Sequence, residues 1–106
     1  MPERNADLNL DRLIHEPGRL AILTVLSSVT DADFLFLQRT TGLTKGNLSS
    51  HLTKLEDAGL VQIVKSFVRK KPNTNVALTA LGKERIAHHW AQLERLKNLS
   101  DPGEES

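Results

Sequence analysis

Leu43-Thr44-Lys45-Gly46-Asn47-Leu48-Ser49-Ser50-His51-Leu52-Thr53-Lys54-Leu55-Glu56-Asp57-Ala58-Gly59-Leu60 is the stretch whose reading decides the fold. Wound as a helix, it places Leu48, Leu52 and Leu55 at i, i+4 and i+7, a single narrow apolar stripe. Gly46, Asn47, Ser49, Ser50, Thr53 and Lys54 then project from the other side. A face meant only for solvent is normally built from Glu and Lys, which favour helix and pair at i,i+4. Ser, Asn and Thr are poor helix formers because their side chains compete for backbone hydrogen bonds. A helix that carries several of them has a use for short hydrogen-bonding groups, and bases and phosphates are candidate targets. Thr44 can act as N-cap, although Asn47 is not the Glu or Gln of a full capping box. Gly59 suits a left-handed residue just past the end, with Leu60 folding back onto Leu55 as in a Schellman arrangement.

Downstream, the run from Leu60 to Val68 reads as a strand, Arg69 to Asn75 as turn chemistry, and Val76-Ala77-Leu78 as the returning strand. Thr79 can cap a last helix from Ala80 to about Leu99, with Ile86, Trp90, Leu93 and Leu96 or Lys97 as a stripe at roughly heptad spacing. Upstream, Asp31 or Asp33 can cap a short helix containing Phe34, Leu35 and Leu37 that stops near Thr41-Gly42. Pro17 fits the first turn of a helix through Leu26, with Leu20, Ile22, Leu23, Val25 and Leu26 suited to burial. A further helix is expected from Asn9, with Leu10, Leu13 and Ile14 apolar, ending before Pro17. Two helices joined by a short glycine-containing turn form a helix-turn-helix, and the hairpin adds a wing. The expected fold is therefore mainly α with a small β-hairpin, a winged helix-turn-helix over residues 10–99. Residues 1–9 are expected to be a flexible N-terminus and residues 100–106 a polar tail.

The chain has 106 residues, enough for one domain with a modest core. It has no cysteine, so thiolate metal sites, disulfides and cysteine nucleophiles are excluded. No apolar run reaches the roughly 18 residues of a membrane span, and the start is too polar for a signal peptide, pointing to the cytoplasm. The net charge of +1 hides an asymmetry: residues 39–71 carry seven bases and two acids, a local charge of +5, and the remainder sums to −4. Positive charge gathered on the polar helix and the following hairpin is the footprint expected of a protein that meets a polyanion.

Three stretches carry a family likeness: His15-Glu16-Pro17-Gly18-Arg19-Leu20-Ala21-Ile22-Leu23, Asn47 to Leu52 continuing through Leu55 to Ala58-Gly59-Leu60-Val61, and Leu78-Thr79-Ala80-Leu81-Gly82. With their spacing the chain resembles the winged-helix regulators of the MarR and ArsR kind, particularly small single-domain archaeal and bacterial members. The resemblance implies a homodimer that binds double-stranded DNA, with a recognition helix at about 44–58 in the major groove and a basic wing at about 65–75 on the backbone or minor groove. It assigns Thr44, Lys45, Asn47, Ser49, Ser50 and Lys54 to the recognition helix contacts, and Lys65, Arg69, Lys70, Lys71 and Asn73 to the wing. Asn47 could read an adenine edge, and Lys45 a guanine or a phosphate. Dimerisation through the terminal helices would use Leu10, Leu13, Ile14, Ile86, Trp90, Leu93 and Leu96, since a last helix of about 30 Å would otherwise expose its distal apolar residues.

His51 reads as a packing residue hydrogen-bonded at the helix flank rather than a DNA contact. Metal-sensing relatives use cysteines, absent here, or Asp and His pairs on the last helix. Glu84 and His88 are spaced i,i+4, and His89 adjoins, but two ligands on one helix make no zinc site, so His88 and His89 read as exposed surface residues and no metal or cofactor is expected. No small-molecule effector can be assigned. The leading reading is a dimeric, sequence-specific DNA-binding regulator, a repressor that occludes a promoter. The alternative is a winged helix that serves as a protein-interaction or assembly module, since fold alone does not fix function. An enzyme has no footing: there is no nucleophile elbow, glycine-rich phosphate loop or metal-ligand cluster.

Overall fold

The computed structural model describes residues 10–99. The expected flexible N-terminus, 1–9, and polar tail, 100–106, lie outside them. Seven elements follow in order: α1 (Pro17–Leu26), β1 (Ala32–Asp33), α2 (Phe34–Thr41), α3 (Lys45–Asp57), β2 (Val61–Val68), β3 (Lys71–Leu78) and α4 (Ala80–Leu99). Four helices thus pack with an antiparallel sheet of order β1-β3-β2.

The helix read first, α3, sets the centre. Leu48, Leu52 and Leu55 are all buried in one core with Ile22, Leu23 and Leu26 of α1, Leu37 of α2, Val61 and Val76 of the sheet and Ile86 of α4. Thr44 caps the helix, its hydroxyl accepting from the Asn47 amide at 3.1 Å. At the other end Gly59 has a φ of 79°, Leu60 N donates to Leu55 O at 2.9 Å and Gly59 N to Glu56 O at 2.9 Å. These are the two bonds of a Schellman motif, which turns the chain into β2.

Local chemistry also sets α1 and α2. Glu16 caps α1 with its own carboxylate, accepting from Arg19 N at 2.8 Å, and Pro17 occupies the first turn. Asp33, not Asp31, caps α2 by accepting from Phe36 N at 2.7 Å, and Gly42, with a φ of 76°, closes it. Ala32 and Asp33 also pair with Val76 and Asn75 of β3, a strand of two residues too short to leave any periodicity in the sequence.

Two expectations are corrected. No helix runs from Leu10 to Glu16; residues 12–14 make one turn and residues 15–16 a bend. The Asp11 carboxylate accepts from the Leu13 and Ile14 amides at 3.1 and 3.4 Å, so the turn starts where Asp11 caps it. It ends at Glu16, which is extended (φ −76°, ψ 132°), the conformation that a following proline favours. The hairpin turn is also shorter than the expected Arg69–Asn75. Only Arg69 and Lys70 lie outside the strands, and β2 pairs with β3 from Val61↔Leu78 out to Val68↔Lys71. Pro72 is tolerated inside β3 because it pairs with Phe67 beyond the reach of β1, where its missing N–H can face open solvent.

The last helix is clamped onto this junction. Thr79 Oγ1 donates to Gly59 O at 2.6 Å and accepts from Gly82 N at 2.9 Å, while Thr79 N donates to Leu60 O at 3.0 Å. A Cβ on Gly82 would stand 2.0 Å from the Leu60 carbonyl oxygen. The absence of a side chain there lets α4 press against the end of the Schellman turn.

Candidate nucleic-acid interface

Burying the leucine stripe fixes where the rest of α3 points. Thr44, Lys45, Asn47, Ser49, Ser50 and Lys54 are all exposed. Thr53 is exposed as well, but its hydroxyl donates back to Ser49 O at 3.0 Å. The face therefore offers hydroxyls, one carboxamide and two ammonium groups, with Glu56 and Asp57 confined to the last turn.

Alternation along the hairpin does the same for the wing. Val61, Ile63, Lys65 and Phe67 share one face with their partners Leu78, Val76, Thr74 and Pro72. Near the body this face is core; farther out it becomes the wall of an open groove of about 810 Å³. Lys45, Ser49 and Thr53 of α3 line one side and Lys65, Asn73 and Thr74 the other. The groove thus joins members of the two predicted contact sets, whereas Asn47, Ser50 and Lys54 stand outside it on the open face of α3. Asp33 and Glu56 also line the groove, so its two cations, Lys45 and Lys65, share it with two carboxylates. Arg69, Lys70 and Lys71 are exposed at the tip. Arg69 and Lys70 have φ of 54° and 67°, the mirror-image turn geometry that Asn-Gly normally fills. No acid occurs between Asp57 and Glu84, so nothing in the wing sequence offsets these cations.

The support behind α3 was largely hidden from the sequence. His51 Nδ1 lies 3.2 Å from an Arg19 guanidinium nitrogen, and its Nε2 is 3.6 Å from Glu16 Oε1. Arg19 Nε in turn donates to Leu13 O at 2.6 Å. Gly18 packs beneath the ring; a Cβ there would come within 2.6 Å of His51 Nε2. His51 is thus the packing residue expected, and it ties α3 to the start of α1. The Arg19 amide bond, foremost, holds the Glu16 carboxyl below its ordinary pKa against the opposing effect of burial.

A second tie joins the residue 11–15 segment to α4. Arg85 Nε donates to Asp11 Oδ2 at 3.1 Å, and a terminal guanidinium nitrogen bonds the same oxygen. Burial works to raise the Asp11 pKa, but Arg85 and the Leu13 and Ile14 amides together hold it below its ordinary value. His15 Nδ1 and His89 Nε2 share a hydrogen bond at 3.0 Å. This corrects the reading of His89 as a surface residue: it is fully buried, whereas His88 is exposed. Burial first, and then His15, lower the His89 pKa, and its Nδ1 has no hydrogen-bond partner among the described residues.

The expected dimer residues divide. Ile14 (0 % exposed) and Ile86 (4 %) belong to the chain's own core, so they cannot form an outer face. Leu10, Leu13, Leu93 and Leu96 are half-buried. Trp90 is 40 % exposed and Leu99 68 %. The register of α4 explains the split: Ile86 and His89 point inward, and Trp90 is rotated toward the rim of a second open groove that Leu26, Val29 and Leu78 also line.

With this geometry in place, the chain can be set beside known proteins. A family model described as a winged helix DNA-binding domain matches residues 19–97. An uncharacterised protein of Methanocaldococcus jannaschii is 32 % identical over 89 residues, which cover 83 % of this chain and 97 % of that protein. The solved structure of a transcriptional regulator homologue from Pyrococcus horikoshii is 31 % identical and superposes with a TM-score of 0.84, covering 95 % of this chain and 99 % of the other. A MarR-family transcriptional regulator from Silicibacter pomeroyi, at 21 % identity, shares the fold with a TM-score of 0.67, over 97 % of this chain and 70 % of its own.

Proposed function

The chain belongs to the winged helix DNA-binding domain family, and from that premise we propose that it is a homodimeric, sequence-specific repressor that occludes a promoter. In this reading α3 enters the major groove, Lys45 and Lys65 straddle a phosphate strand in the groove between helix and hairpin, and Arg69, Lys70 and Lys71 follow the backbone into the neighbouring minor groove. Thr44 and the first turn of α3 suit a phosphate oxygen. Asn47 is the candidate for an adenine edge, and Ser49, Ser50 and Lys54 extend the contact along the helix.

The observation that carries this reading is the continuous exposure of the polar α3 face and the basic hairpin around one groove. A second copy packed along α4 would cover Trp90, Leu93, Leu96 and Leu99 and place two recognition helices about one turn of DNA apart. In vitro selection of bound duplexes followed by sequencing tests it. A palindromic consensus with half-sites about 10 base pairs apart is expected. Recovery of no consensus from a protein that still captures a partner chain would favour the assembly-module reading instead.

A further inference from the structure

The most exposed large apolar side chain of the described residues is Phe67, at 75 %. It lies two residues before Arg69, in the most cationic part of the chain. A hairpin tip designed only to stay soluble would place Lys or Thr there, since an exposed aromatic on a projecting strand invites association. Phe67 pairs directly with Pro72, which is exposed too, so the tip carries an apolar pair of two stiff rings. Both rings lie on the face of the sheet that holds Ile63 and Lys65, the face that looks into the groove beside α3. Cations border the pair at Lys65 on one side and at Arg69, Lys70 and Lys71 on the other.

That combination specifies its occupant: a polyanion with an apolar slot. Duplex DNA offers one in the minor groove, between deoxyribose walls, where apolar side chains can enter base steps that unstack cheaply. The exposed outer part of β2, Val64 to Val68, projects about 13 Å at strand rise, the same scale as the half turn of DNA, about 17 Å, that separates a major groove from the next minor groove.

We propose that Phe67, backed by Pro72, is an apolar wedge that the wing inserts into the minor groove flanking the α3 site, and that it is a specificity-determining residue. It reads the deformability of a step, favouring TA or CA over stiff A-tracts, where α3 reads base edges. The inference rests on the DNA-binding reading above, and its test separates the two.

Fluorescence anisotropy on the full chain would compare a labelled selected duplex, the same duplex with its wing-facing TA step changed to AA, and a scrambled duplex. For Phe67→Ala the account expects about tenfold weaker binding to the selected duplex, the scale of one lost apolar base contact. It expects little change on the AA duplex and an unaltered salt slope, because no phosphate contact is lost. Phe67→Leu, which keeps an apolar wedge, should retain most of the affinity. Arg69→Ala should weaken all three duplexes alike and lower the slope by about 0.9. Equal affinity of Phe67→Ala and the wild type for the selected duplex would overturn the wedge while leaving α3 as the reader. So would an equal loss on all three duplexes. A wild type that binds none of them would remove the DNA reading and the wedge together.

Discussion

The two ends of the β2–β3 hairpin are built on opposite principles. At the inner end Val61 and Leu60 are buried, Thr79 bonds both Gly59 and Leu60, and Gly82 sits hard against the Leu60 carbonyl. At the outer end the side chains from Val64 to Lys71 are exposed, and two cations hold left-handed backbone that disfavours them. A side chain in that region costs roughly 1–2 kcal/mol per residue. A chain selected for stability alone would relieve the outer end with Asn-Gly. Strain kept at one end and close packing at the other indicate a fixed base carrying a tip shaped for contact.

Gly82→Ala attacks the fixed base and should have the largest effect. With the new Cβ driven against a backbone oxygen, a loss of about 3 kcal/mol or more is expected, read as a lower denaturation midpoint at unchanged slope. A variant as stable as the wild type would show that α4 is not pressed onto the α3 exit. Arg69→Asn combined with Lys70→Gly attacks the tip. It should raise stability by about 1–2 kcal/mol by relieving the turn, yet weaken duplex binding and lower its salt slope by nearly 2. Stability and binding moving in the same direction would erase the contrast between the two ends.

The smallest effect concerns pH. Burial, and then His15, lower the His89 pKa below the ordinary 6.5, so the folded chain resists its protonation. A charged ring would need an acceptor at each nitrogen, and Nδ1 has none among the described residues. The unfolded chain therefore takes up the proton first. Stability is fully present above about 6.5 and declines as pH falls below it. His89→Phe should flatten that decline in denaturation midpoints measured between pH 7 and 5, while the tip variant should leave it unchanged.

Where structure follows from neighbours in sequence, it was legible. The Thr44 cap, the Gly59 exit and the Leu48-Leu52-Leu55 stripe each depend on residues within seven positions, and each stands as read. The misreadings came where distant partners decide. Pro72-Asn73-Thr74-Asn75 has the composition of a turn, but pairing with β2 draws it into a strand. The apolar residues before Pro17 suggested a helix, but Asp11 is taken up by Arg85, 74 positions away, and by the amides of a single turn. His89 looked like surface because it is polar, but the register of α4, set by contacts with α1 and the sheet, turns it inward beside Ile86 and toward His15. The outward face of α3 was legible because burying three leucines leaves the other residues only one direction to point.

Whether the exposed α3 face and the cationic hairpin together meet double-stranded DNA is decided by anisotropy of a labelled genomic duplex titrated with the full chain across salt, beside Lys70→Glu with Lys71→Glu. The account predicts a log–log decline with a slope near −0.9 per phosphate contacted, several contacts in all, and a shallower slope with weaker binding for the double variant. No binding at low salt, or a variant that binds like the wild type, would contradict it.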